Sequence, residues 1–73
     1  VELRFSDTML HYLKALPLHQ SQTIDENIVT LHLIINPELE NKIISYGEQV
    51  EVLYPLSLRK RIIQRLQKAI SQY

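Results

Sequence analysis

The sequence predicts an α+β domain built on an antiparallel sheet and closed by an additional C-terminal helix. Three observations carry that expectation. Short alternating apolar runs recur along the chain, in "VELRF", "IVTLHLII" and "VEVLY". Stretches of helical spacing with capping residues lie between them. The longest helical pattern, "LRKRIIQRLQKAISQY", comes last.

Val1, Leu3 and Phe5 alternate with Glu2 and Arg4, the pattern of a half-buried strand. Ser6 or Asp7 then caps a helix, because each offers an oxygen to the free amides of a first turn. Met9, Leu10, Leu13 and Leu16 give that helix an apolar stripe, and Pro17 ends it at about Leu16. Residues 20–24 read as an edge strand with a weak apolar face, and Asp25-Glu26-Asn27 as a turn. Residues 28–35 form a stronger strand, burying Val29, Leu31, Leu33 and Ile35.

Asn36 is placed to cap a second helix, and Pro37 suits its first position. Glu38 and Glu40 complement the positive end of its dipole. Leu39, Ile43 and Tyr46 share a face, and Glu38 and Lys42 have the spacing of an i,i+4 ion pair. Gly47, the only glycine, falls where helices often end in left-handed backbone, which glycine enters without steric penalty. A phosphate-cradling loop would set several glycines ahead of a helix. Gly47 follows one, so it reads as a stop signal. Val50, Val52 and Tyr54 are the inward positions of the next strand, and Pro55 ends it. Ser57 caps the last helix. Leu58, Ile62, Leu66, Ala69, Ile70 and Tyr73, joined by Ile63, line its apolar side. The order β-α-β-β-α-β plus a helix implies a ferredoxin-like sheet with two helices on one face.

The chain's 73 residues make one domain with a small core, since a chain of this size buries only about 60% of its unfolded surface. Without cysteine it has no disulfide or thiolate-bound metal to staple it, which fits a reducing compartment such as the cytoplasm. Its apolar runs fall far short of the roughly 20 residues that span a bilayer. Opening on a strand, with no signal peptide, it reads as an accessory domain from a longer protein.

Net charge is zero, but residues 1–54 hold all the acids while residues 55–73 hold Arg59, Lys60, Arg61, Arg65 and Lys68 and no acid. Either the tail meets an anionic partner or it is a solvated face balanced by the acidic body. Three of these bases crowd the first turn of the last helix, where the dipole disfavours cations. An anion received there would explain them. So would neutralisation by Glu48 or Glu51, and the first explanation is favoured.

His11, His19 and His32 match no zinc spacing, and no strained G-x-S-x-G turn supports a nucleophilic triad. No catalytic residue, metal or cofactor is expected. The open sheet face would show Glu2, Arg4, Thr30, His32, Glu51 and Leu53. It lacks the aromatic rings on which RNA-binding sheets stack bases, so protein docking or plain solvation suits it better.

"LPLHQSQ", with a helix before it, and "ISYGEQVEVLYPLSLRKRI" with the closing "LQKAISQY" resemble the C-terminal extension (WCX) domain of bacterial WYL-domain transcription regulators. The markers are the 18–22 turn, the passage from Gly47 to Pro55, and Leu58-Arg59 at the start of the last helix. The resemblance spans nearly the whole chain. It implies a non-catalytic domain that helps a regulator self-associate and sense an effector, nucleic acid in some relatives, while an absent N-terminal domain binds DNA. The Trp-Tyr-Leu motif belongs to a preceding domain, and this chain has no tryptophan. Candidate effector or anion contacts are Arg59, Lys60 and Arg65, with His19 and Gln22 of the resembling turn. Arg4, Thr30, His32 and Leu53 are the partner-facing candidates on the sheet. The alternative is a free-standing small-molecule-binding or interaction domain of ferredoxin-like shape, unrelated to transcription.

Overall fold

Each helix start follows from a local donor–acceptor match. In the computed structural model, which describes residues 1–73, Ser6 accepts from the Met9 amide and opens α1 (Asp7–Ala15) after β1 (Glu2–Phe5). Asn36 accepts from the Leu39 amide at 2.8 Å and opens α2 (Pro37–Ser45), with Pro37 in its first turn. Between them lie β2 (Thr23–Asp25) and β3 (Ile28–Thr30), joined by Glu26 and Asn27. Gly47 follows α2 with φ +56° and begins a short 3₁₀ turn, Gly47–Gln49. β4 (Val50–Tyr54) and α3 (Leu56–Ile70) complete the chain.

The four strands form one antiparallel sheet in the order β2-β3-β1-β4. A single core lies against it: Leu3, Phe5, Val29, Leu31 and Val52 from the sheet side, Leu10 and Leu13 from α1, Ile43 from α2, and Leu58 and Ile62 from α3. The Phe5 and Tyr46 rings meet edge to face at 5.4 Å, and burial raises the Tyr46 pKa above its ordinary value.

Five expectations are corrected. The third strand stops at Thr30 rather than Ile35. Its ladder with β1 closes at reciprocal Val1–Leu31 hydrogen bonds, and β2 pairs no further than Thr23 with Thr30. Past Leu31 the chain has no strand alongside, so Leu33 and Ile35 pack on the core from irregular backbone. The second strand is likewise shorter and begins at Thr23.

Tyr54 does not point inward and is 58% exposed. The β1–β4 register shifts between Glu2 and Leu3, so that Leu3 faces Val52 but Glu2 faces Tyr54. The extra residue, Leu53, turns the alternation by one position, as a bulge does.

Ser57 does not cap α3. The helix begins earlier, with Pro55 as its N-cap and the Pro55 carbonyl accepting from the Arg59 amide. Nor does the apolar side of α3 stay buried along its length: only Leu58 and Ile62 are. A 15-residue helix is about 22 Å long, whereas the five residues of β4 span about 16 Å. The helix outruns the sheet beneath it. Ile70 and Tyr73 lie past its end, while Ile63 and Leu66, still beside the edge strand, are turned around the helix from Leu58 and Ile62; all four are exposed.

Candidate functional site

The cations of α3 fall into two groups. From the first full turn, Arg59 Nη1 reaches the edge strand and donates to Glu51 Oε2 at 2.9 Å and to the Val52 carbonyl at 2.8 Å. Arg4, cross-strand neighbour of Glu51, donates to its other oxygen at 3.1 Å. The hydrogen bond from Arg59, aided by the nearby charge of Arg4, holds the Glu51 carboxyl below the ordinary glutamate pKa.

A second cluster joins α2 to α3. Glu40 is only 5% exposed, the one buried charged residue. Its carboxylate accepts from Arg61 and lies 3.6 Å from Arg65 Nη1, while Arg65 Nη2 donates to Asn41 Oδ1 at 2.8 Å. Glu40 is therefore a partner of arginines rather than only a complement to its own helix dipole. The expected Glu38–Lys42 pair does not form.

Three of the five cations thus have partners inside the fold. Of the two explanations left open by the sequence, internal neutralisation accounts for Arg59, through Glu51 and not Glu48. Arg61 and Arg65 share the single carboxylate of Glu40, which the sequence reading did not consider. The signal was there: Glu40 sits three residues before the core residue Ile43, and Arg61 and Arg65 share a face at i,i+4. Lys60 and Lys68 are exposed, and their side chains make no ion pair or hydrogen bond. Lys60 lies in an opening stretch of α3 that has no side-chain cap and no acid in its first turn.

His19 and Gln22 are engaged in holding their own turn. Gln22 Oε1 accepts from the Leu18 amide at 2.9 Å, and its Nε2 donates to the Leu13 carbonyl at 3.0 Å. The Ser21 amide donates to His19 Nδ1, and the Ser21 hydroxyl sits 2.7 Å from that nitrogen while accepting from the His32 amide. The turn is thereby stitched to the end of α1 and to the chain after β3.

Strand register fixes how far apart the candidates lie. Thr23, Thr30, Glu2 and Tyr54 form one row across the sheet. The 18–22 turn and the start of α3 therefore share an end of the sheet but stand at opposite edges, about 14 Å apart across three strand spacings. His19 and Gln22 do not join Arg59, Lys60 and Arg65 in one direct constellation. On the open sheet side, Arg4 is committed to Glu51, Thr30 and Leu53 are half-buried, and His32 is exposed beyond the end of β3.

A hollow that the sequence did not announce lies beside the 18–22 turn. Leu18, Leu31, Leu33 and Leu39 line it, Glu38 and Lys42 add charge, and its volume is about 190 Å³. It arises because the chain leaves the sheet at Leu31 and crosses to α2, a course invisible in periodicity. No three His, Asp or Glu side chains are grouped to hold a metal ion. No helix is long and apolar enough to cross a membrane.

Comparison with known proteins gives one result at family level. Searches of curated proteins and of solved structures returned no match. The family model of the WCX domain matches residues 1–70. That span takes in the 18–22 turn, the Gly47 helix end, the edge strand with Glu51 and the whole of α3. The chain belongs to the WCX domain family, the regulatory C-terminal domain of WYL-type transcription regulators.

Proposed function

We propose that this chain is the non-catalytic regulatory domain of a cytoplasmic, WYL-type bacterial regulator, contributing to self-association and to sensing of an anionic effector. DNA binding belongs to another domain of the intact regulator. The observation that carries the reading is the family match over residues 1–70. Two features of α3 support its finer parts. Lys60 and Lys68 are free cations on a helix without acids, where backbone phosphates would be attracted. Beside them runs an exposed apolar ridge suited to protein contact. We also read the sheet as ferredoxin-like: in the order β2-β3-β1-β4 the two β-α-β halves interleave.

Titration of short single-stranded DNA into the intact regulator at several salt concentrations tests the effector part. Two phosphate contacts, at Lys60 and Lys68, give a log–log slope of affinity against salt of about −1.4. Lys60→Glu should weaken binding and flatten that slope. Arg59→Glu is a poorer probe, because it also breaks the Glu51 pair. Absence of binding, or binding indifferent to Lys60→Glu, removes the nucleic-acid part. A second reading, a small-molecule-binding domain without a link to transcription, is favoured by the apolar hollow at Leu18, Leu33 and Leu39. An N-terminal helix-turn-helix in the full-length gene product decides between the two.

A further inference from the structure

The exposed side of α3 has its own periodicity. Leu56, Ile63 and Ile70 stand seven residues apart, and so do Arg59, Leu66 and Tyr73. Together they alternate three and four apart, the spacing of a two-stranded coiled-coil seam. The seam lies about a quarter turn around the helix from Leu58 and Ile62, so the core does not use it. Leu56 and Ile70 are 62% and 75% exposed, and Ile63 and Leu66 41% each. A hollow of about 150 Å³ separates Ile63 and Leu66 from Val50 and Val52 of the edge strand, leaving room for a side chain from outside.

We propose that α3 of a second copy packs antiparallel along this seam, about a two-fold axis passing between Gln64 and Arg65. This rests on the self-association reading and specifies its surface. The choice of partner comes from the order of side chains. About that midpoint the seam is self-complementary: Leu56 faces Tyr73 of the second copy, Arg59 faces Ile70, and Ile63 faces Leu66. On the flank, Lys60 faces Gln67. No cation meets a cation. Parallel pairing would instead stack Arg59 on Arg59, a costly like-charge contact. An acidic helix is less suited, because Arg59, Arg61 and Arg65 already hold carboxylates within the fold. The seam of one helix falls short of the ~800 Å² per partner of a standard interface, so the isolated chain pairs only at high concentration. A regulator joined elsewhere raises the effective concentration and makes the contact persist.

Sedimentation equilibrium of the chain, diluted from millimolar concentration, should show a monomer–dimer equilibrium. Ile63→Glu with Ile70→Glu should raise the dissociation constant at least ~30-fold, with an unchanged far-ultraviolet circular dichroism spectrum, as both residues are exposed. Because the chain has no cysteine, a mixture of Lys60→Cys and Gln67→Cys chains should cross-link on oxidation far better than either alone. A wild-type chain that stays monomeric overturns both the pairing and self-association through this domain. Dimers that survive the double glutamate variant overturn the seam and leave self-association standing. Cross-linking of Lys60→Cys with itself as readily as with Gln67→Cys overturns the antiparallel arrangement.

Discussion

Arg59 of α3 donates to Glu51 of β4 at 2.9 Å, and this ion pair fastens the start of the longest helix to the sheet's edge strand. The same guanidinium takes up the Val52 carbonyl, so it also covers hydrogen-bonding capacity on an edge that would otherwise invite another strand. An arginine where the dipole opposes it is thereby given a structural role.

The pH dependence of Glu51 follows from its lowered pKa. Its stabilising contribution is fully present above the ordinary glutamate value of 4.5 and is lost as pH falls through the lower folded value. Urea denaturation should find the wild type more stable than Glu51→Gln at pH 7, with the gap narrowing as pH falls below 4.5. A gap that does not change with pH contradicts the assignment.

Glu40 makes a prediction of opposite character, because burial and not exposure decides it. Removing both partners with Arg61→Ala and Arg65→Ala leaves the Glu40 carboxylate without compensation and should cost about 3 kcal/mol, the low end for a buried charge because both arginines are half-exposed. Adding Glu40→Met should restore most of that loss, since an apolar chain of similar length needs no partner there. Denaturant midpoints of the wild type and the two variants measure both effects.

Gly47 isolates a backbone term. A Cβ built on it meets nothing within 4 Å, yet its φ is +56°. Gly47→Ala should therefore destabilise by about 1–2 kcal/mol through conformation alone. Gly47→Asn should cost less, as asparagine tolerates the left-handed region better.

The 18–22 turn has its own test. Gln22→Ala deprives the Leu18 amide and the Leu13 carbonyl of their partner and should cost about 1–2 kcal/mol. A domain of this size loses about 4–8 °C in Tm per kcal/mol, which calorimetry resolves. An unchanged Tm contradicts the structural role of Gln22.

What was legible in the sequence was local. Ser6, Asn36, Pro37 and Gly47 each act within one turn of backbone, so capping chemistry placed α1, α2 and the end of α2 correctly. What was not legible depends on neighbours distant in the chain. The end of β3 is set by how far β1 and β2 run beside it, and the outward turn of Tyr54 by a register shift against Glu2. The partners of Arg61 and Arg65 lie on another helix, some twenty residues earlier. The apolar positions of α3 were read as one stripe, although they form two: one ends with the sheet beneath it, and the other points away from the core.

The central claim is that α3 carries the domain's binding surfaces, with its apolar seam and its free lysines used separately. Residue-resolved NMR shift mapping of the labelled chain tests this most directly, first across a dilution series and then with added single-stranded DNA. The predicted result is concentration-dependent shifts at Ile63, Leu66, Ile70 and Tyr73, and DNA-dependent shifts at Lys60 and Lys68. Shifts confined to Thr30, His32 and Leu53 on the open side of the sheet, with α3 silent in both series, would contradict it.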